Sequence, residues 1–196
     1  MSQVRLGDRI QSVDGQGNLV YSEVLMFLDR EPEERSRFVR LKTEDGTELS
    51  LTSSHLVYAG APDCRALDCM SPVYAGNVEA GQSLMTRTSR LVASTVISVT
   101  SIHHTGVFAP LTRAGNLVVD GVVASCYAVI DSQNIAHTAF APVRWYYSLV
   151  HSLGSLVGSS ERSEARTVTQ VASGIHWYPR LLYSLARLVL PSHLVL

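Results

Sequence analysis

Thr52 and His55 stand three positions apart at the end of the run Leu49-Ser50-Leu51-Thr52, in which apolar and hydroxyl residues alternate. That period predicts a strand, with Leu49 and Leu51 on one face and Ser50 and Thr52 on the other. A histidine at a strand end is poised to exchange a proton near neutral pH. A hydroxyl three residues back is placed to hold or orient a neighbouring group. The competing use of such a histidine is simple packing. A triad of Asp29, His55 and Ser53 or Ser54 is possible by composition but has no nucleophile-elbow motif around either serine. Cys64, Cys69 and the scattered histidines do not supply four ligands at a metal-site spacing, so no metal is expected.

The 196 residues suit one domain, or one domain and an appendage, with ample length to bury a core. A formal charge of −1 argues against general nucleic-acid binding through a basic surface. No apolar run reaches the length that spans a bilayer, and the first residues carry no hydrophobic segment of the signal-peptide kind. Three cysteines are an odd count, so at least one thiol stays reduced or pairs outside the chain. Cys64-x4-Cys69 either closes a small disulfide loop or leaves both residues unbonded.

Residues Arg9 to Leu28 read as a β-hairpin around the turn Asp14-Gly15-Gln16-Gly17. The charged stretch Asp29 to Arg35 reads as a connection, because Pro32 discourages a continued strand. Phe38 to Lys42 alternates, Asp45-Gly46 signals a turn, and Thr47 to Thr52 pairs back. Residues Ala59 to about Ala80 read as a long surface loop. A second copy then follows. Gly81 to Met85 parallels Gly7 to Gln11, Ser94 to Ile97 parallels Ser22 to Leu25, and Phe108-x-x-Leu111 parallels Phe38-x-x-Leu41. Gly115 precedes Tyr127-Ala128 as Gly46 precedes Tyr58-Ala59. A tandem duplication of a β-unit predicts an all-β domain with pseudo-twofold symmetry.

The character changes after Asp131. Val143, Tyr146, Tyr147, Leu149, Val150, Leu153 and Leu156 fall near helical spacing. About 158–170 is a polar linker, and Pro179 opens a second helical stripe through Leu181, Leu182, Leu185 and Leu188. These helices either pack on the β-domain and each other or lie at a lipid interface, where a Trp, Tyr and Arg mix is at home.

Several motifs, in order, resemble the C-terminal autoprocessing domain of hedgehog precursors, a Hint-type domain. They are Gly7-Asp8-Arg9, Phe27-Leu28-Asp29-Arg30, Leu51-Thr52-Ser53-Ser54-His55-Leu56-Val57, Val107-Phe108-Ala109-Pro110-Leu111-Thr112, Ala124-Ser125-Cys126-Tyr127-Ala128, Phe140-Ala141-Pro142 and Gly174-Ile175-His176-Trp177-Tyr178. The resemblance covers nearly the whole chain, and Phe27 to Pro32 leans toward the vertebrate members. It implies a Hint-type (hedgehog/intein) β-disc built of two related halves, over residues 1–132. It also implies a small helical appendage over 133–196, the sterol recognition region.

The activity implied is self-cleavage in two steps. A cysteine opening the domain attacks the preceding peptide carbonyl, turning amide into thioester, and the 3β-hydroxyl of cholesterol then takes over the acyl group. Position by position, His55 is the implied general acid for the leaving amide nitrogen, and Thr52 holds the scissile region. Asp29 is the implied base for the sterol, a role that asks for a carboxylate raised by burial or acting late in the transition state. Cys126 is the implied thiol partner of the nucleophile; its plainer reading is an inert buried strand thiol. Trp145, Tyr146, Leu149, Trp177, Tyr178, Leu182 and Leu185 are the implied sterol- or membrane-contacting residues.

One departure stands out. The family opens with Gly-Cys-Phe about twenty residues before the Gly-Asp-Arg motif, which here begins at Gly7. The nucleophile and first strand are therefore expected upstream of Met1, with the chain inactive alone and its neighbouring sheet edge left open and aggregation-prone. Cholesterol enters as acyl acceptor and no cofactor is expected. The implied partners are the upstream signalling domain in cis and a membrane surface, within the secretory pathway. The alternative is a catalytically dead sterol- or membrane-binding module. Splicing as an intein is disfavoured, because Ala124-Ser125-Cys126 stands where a His-Asn pair would be needed.

Overall fold

A computed structural model of the chain describes residues 1–128 and Ala141. The expected tail helices, including Trp145, Tyr146, Leu149, Trp177, Tyr178, Leu182 and Leu185, lie outside the described residues. Within them the chain is built of strands: β1 (Arg9–Val13), β2 (Leu19–Thr43), β3 (Glu48–Thr52), β4 (His55–Gly60), β5 (Ser71–Tyr74), β6 (Ser83–Arg87), β7 (Leu91–Thr112), β8 (Asn116–Val119) and β9 (Val122–Ala128). The hydrogen-bonded order is β1-β2-β7-β6-β4-β9-β8, with β3 added to β2 and β5 added to β4. The all-β class expected from the sequence is what forms.

The duplication is visible bond by bond. Gly7 N–H donates to Val24 O at 2.9 Å, and Gly81 N–H donates to Val96 O at 2.8 Å. Val24 N–H returns to Asp8 O and Val96 N–H to Gln82 O, both at 2.8 Å. The two turns also match: Gly46 N–H donates to Thr43 O and Gly115 N–H to Thr112 O, with φ of 85° and 76° that a residue bearing a Cβ rarely adopts. Each half's turn grips the other half's hairpin. Arg113 N–H reaches Glu23 O as Glu44 N–H reaches Thr95 O, and Ala114 N–H reaches Ser22 Oγ as Asp45 N–H reaches Ser94 Oγ. The long strands β2 and β7 run antiparallel through both halves, and their end pairs Val24↔Thr112 and Thr43↔Val96 are equivalents of one another.

Two expectations need correction. Residues 29–35 do not leave the sheet; β2 continues through them. The ladder skips from Glu31↔Val107 to Arg35↔Thr105, so Pro32, Glu33 and Glu34 bulge outward opposite Gly106. A proline is tolerated there because the bulge asks for no ladder donor at that position. Nor is 59–80 an open loop. β4 runs to Gly60, Cys64 and Cys69 form a disulfide, and 3-10 turns at Leu67–Cys69 and Ala75–Asn77 bracket β5. Buried Cys64 and Met70 anchor this segment against Tyr58, Met85 and Val123, burial that a turn-rich composition does not announce.

The largest wholly buried side chains include Leu25, Leu41, Leu49, Leu56, Leu84, Leu111 and Tyr127, drawn from both halves. Polar contacts reinforce the exchange. Asn116 accepts Val13 N–H at 2.7 Å and donates to Val13 O at 2.9 Å, while Ser12 Oγ donates to Asn116 O. In the other half, Asp45 accepts from the hydroxyls of Thr43 (2.6 Å) and Thr86 (2.8 Å) and from Thr47 N–H (3.0 Å). Desolvation pushes the Asp45 carboxyl up, but these hydrogen bonds outweigh it and hold the pKa at about 2, below the ordinary 3.8. The ionised form is the one that folding favours, so its contribution is complete above pH 3.8 and fades as pH falls toward 2. Asp45→Ala is expected to cost about 1 kcal/mol at neutral pH in chemical denaturation. The gap from the parent should close near pH 2; a gap unchanged there would assign the loss to something other than the carboxylate.

Candidate active site

β3 ends at Thr52 and β4 begins at His55, so the two lie on either side of the tight Ser53-Ser54 turn. The sequence reading placed both at the end of one strand; the structure places them at a strand-to-strand corner. The alternation of β3 is as expected, with Leu49 and Leu51 buried and Ser50 and Thr52 partly exposed. Thr52 sits opposite Phe38 of β2, and His55 sits opposite Ala128 of β9. The corner thus joins the β2/β3 pairing to the β4/β9 pairing.

The corner is held from beneath. Gly76 N–H, in the second 3-10 turn, donates to Ser53 O at 3.0 Å. A Cβ at Gly76 would come within 3.1 Å of Ser53 Cβ and 3.3 Å of Ser53 O. A side chain at Gly76 would oblige Ser53 to give by a few tenths of an ångström.

The His55 ring is anchored by Nε2, which lies 3.0 Å from the carbonyl oxygen of Ser125. A carbonyl only accepts, so Nε2 carries the hydrogen and Nδ1 carries the lone pair of the neutral ring. Desolvation pushes the His55 pKa below its ordinary 6.5, and the hydrogen bond to Ser125 offsets part of that fall. The resting ring is therefore neutral at pH 7. It can take a proton at Nδ1 and give it up readily, which suits a group that must protonate a departing amine.

Cys126 follows Ser125 in β9 and is wholly buried, as is Tyr127. With Cys64 and Cys69 bonded to each other, Cys126 remains a thiol. Its sulfur accepts Thr112 N–H at 3.4 Å and lies 3.5 Å from Thr112 Oγ1. Met26, Leu56, Leu111, Leu117 and Tyr127 pack around it, with Leu28 and Tyr74 at the margin. Chemistry at this sulfur requires β9 to open or a reagent to reach it from within the site.

Asp29 lies on β2, opposite Ala109, at the register shift that follows Phe27. It is half-buried. Bulges re-aim side chains, and this one turns the Asp29 position out of step with its neighbours. The next residue, Arg30, holds its guanidinium over the rings of Phe27 and Phe108, 4.7 and 5.7 Å from their centroids. It also donates to the carbonyl oxygens of Val4 and Ser2. One hydrogen bond joins His55 to Ser125, Thr52 stands across the turn from His55 and opposite Phe38, and Asp29 lies on the β2/β7 ladder. The sequence reading did not single out Ser125 or Gly76. Their partners lie 70 and 23 residues away (125 − 55 and 76 − 53), and no local spacing signals either contact.

A duplicated all-β domain with a Thr-x-x-His corner braced by a second strand defines a Hint-type class of protein. The Hint module family profile matches residues 1–191, and the chain belongs to that family. The chain is 41% identical over 198 residues to the protein hedgehog of Drosophila virilis, covering 98% of this chain and 40% of that protein. To the Sonic hedgehog protein of Danio rerio it is 39% identical over 192 residues, covering 96% of this chain and 45% of that protein. Identity to the fly and fish proteins is thus nearly equal, which gives the expected lean toward vertebrate members no support. The chain spans about two fifths of the length of the curated relatives it matches. An intein from a hyperthermophile superposes with a TM-score of 0.49 at 14% identity, over 60% of this chain and 70% of that one.

Proposed function

We propose that this chain is the autoprocessing domain of a hedgehog-type precursor, with residues 1–132 carrying the chemistry and 133–196 forming a sterol- or membrane-associating region. The observation that carries the reading is the 3.0 Å bond between His55 Nε2 and Ser125 O at the Thr-x-x-His corner. It fixes the Nε2–H tautomer and leaves Nδ1 to relay a proton, on a ring that burial keeps neutral.

In this reading the nucleophile is a cysteine preceding Gly7 in the precursor. Its thiol gives its proton to Nδ1 of the neutral His55 ring as the sulfur attacks the carbonyl of the peptide bond before it, and the C–N bond breaks as the nitrogen receives that proton from His55. Thr52 holds the scissile region in the geometry the attack needs. The result is a thioester to the upstream signalling domain and a free amine on the cysteine. Asp29 then accepts the hydroxyl proton of cholesterol as the sterol oxygen attacks the thioester carbonyl; the C–S bond breaks, and the departing sulfur takes up that proton, which regenerates both the thiol and the carboxylate. Cys126 is the thiol partner of the nucleophile during maturation. The Cys64–Cys69 disulfide is in keeping with the oxidising conditions of the secretory pathway.

The test is a precursor in which a signalling domain and Gly-Cys-Phe precede this chain. Added dithiothreitol intercepts a thioester but not an amide, so thiol-dependent release of the upstream domain is the expected outcome. A folded precursor that stays intact under dithiothreitol would refute the reading.

A further inference from the structure

His55 and its carbonyl partner meet at a break in the β4/β9 ladder. Val57 pairs with Ala124, and the next pair is His55 with Ala128. Between them β4 advances two residues (57 to 55) while β9 advances four (124 to 128). Ser125, Cys126 and Tyr127 are the residues of β9 set out of step with β4. A bulge of this kind strands backbone donors that the ladder would otherwise use, and a buried donor without a partner is costly.

Each stranded group in this bulge has its own solution. Cys126 N–H turns to the β8 side and donates to Gly115 O at 3.0 Å. Tyr127 N–H donates to Ser125 Oγ at 3.1 Å. Ser125 C=O then points to His55 Nε2. Ser125 is wholly buried, so water does not substitute for its hydroxyl. One residue thus caps the bulge with its side chain and braces the imidazole with its carbonyl.

We propose that Ser125 is the positioning residue of this site, its hydroxyl locking the β9 bulge in the form that presents the Ser125 carbonyl to His55 and so fixes the ring as the Nε2–H tautomer. Without the hydroxyl, Tyr127 N–H seeks another acceptor, the bulge rearranges, and the carbonyl swings from the ring. His55 then loses both its orientation and the one contact that favours its protonated form. The effect reaches the reaction only through His55, so the inference rests on the reading of His55 as the proton donor.

The experiment is ¹⁵N-histidine NMR on this full chain, with Ser125→Ala and Ser125→Thr. In the parent, His55 should show a protonated Nε2 and an unprotonated Nδ1 at pH 7. Ser125→Ala should mix the tautomers and lower the His55 pKa further, and Ser125→Thr should keep the parent signature. Slow amide exchange at Cys126 reports that β9 has kept its register in each variant, and Gly115 supplies that acceptor in all of them. In the dithiothreitol-driven precursor, Ser125→Ala should slow thioester formation about ten- to a hundredfold, the scale of a misplaced catalytic group. It should also move the acid limb of the rate profile to lower pH, which a loss of folded protein would not do. An unchanged His55 tautomer and pKa in a folded Ser125→Ala chain overturns the proposal. A precursor with His55→Ala that still forms thioester at the parent rate overturns instead the reading on which it stands.

Discussion

His55→Ala in a precursor carrying the upstream cysteine is expected to slow thioester formation by about 10²–10⁴, the usual worth of a positioned general acid. The loss should appear in thiol-dependent cleavage as well as in sterol-dependent cleavage, because both start from the same thioester. The physical reason is the leaving group. An amine leaves readily once protonated, and in the proposed reading His55, whose pKa burial depresses, relays that proton. The same depression sets the pH dependence. The folded state favours the neutral ring, so its contribution to stability is present above pH 6.5 and is lost as pH falls through the lower folded value. His55→Ala should therefore weaken the acid sensitivity of folding while removing the chemistry. Single-turnover cleavage followed by gel, alongside urea titrations at several pH values, checks both halves. Thioester formation at the parent rate in the alanine variant would strip His55 of its assigned role.

Asp29→Ala is expected to separate the two steps. Dithiothreitol-driven release should stay within about twofold of the parent, while transfer to cholesterol should fall by about 10²–10³ for want of a base. The separation follows from the different proton that each residue handles in the proposed reaction. Asp29 sits on β2 at a bulge opposite Ala109, on a different strand from His55 and Ser125. The Arg30 stack on Phe27 and Phe108 anchors the adjoining backbone by contacts that do not involve the Asp29 side chain. Removing one carboxylate there should leave the thioester machinery standing. A parallel loss of both reactions would instead give Asp29 a structural part, and normal sterol transfer would reassign the base.

Much of this arrangement was legible in the sequence, for identifiable reasons. The β1/β2 hairpin and the Asp45-Gly46 turn carry strong local chemistry, and both form where expected. The repeat was readable because Gly7 and Gly81, and Gly46 and Gly115, hold equivalent backbone positions that loops could not alter. Pro32 misled because a local rule was applied where tertiary pairing decided: β2 and β7 absorb the proline in a bulge and continue. The segment after Gly60 misled because its order comes from a disulfide and two buried side chains rather than from periodicity. Residue type and spacing single out Thr52 and His55 in the sequence, and the structure sets them on either side of one turn. The partner of His55 was not legible there. A backbone carbonyl carries no residue-type signal, and the bulge that presents it exists only once β4 and β9 have paired out of register.

The central claim is that this chain turns an upstream peptide bond into a thioester and passes the acyl group to a sterol. Intact mass spectrometry of the released upstream domain tests it most directly. The precursor is incubated with cholesterol in detergent, without added thiol. The account predicts an upstream domain carrying the mass of one esterified sterol. It also predicts that hydroxylamine in place of cholesterol yields the corresponding hydroxamate. An upstream domain that remains joined to a folded chain under both conditions, or that is released bearing neither group, would contradict it.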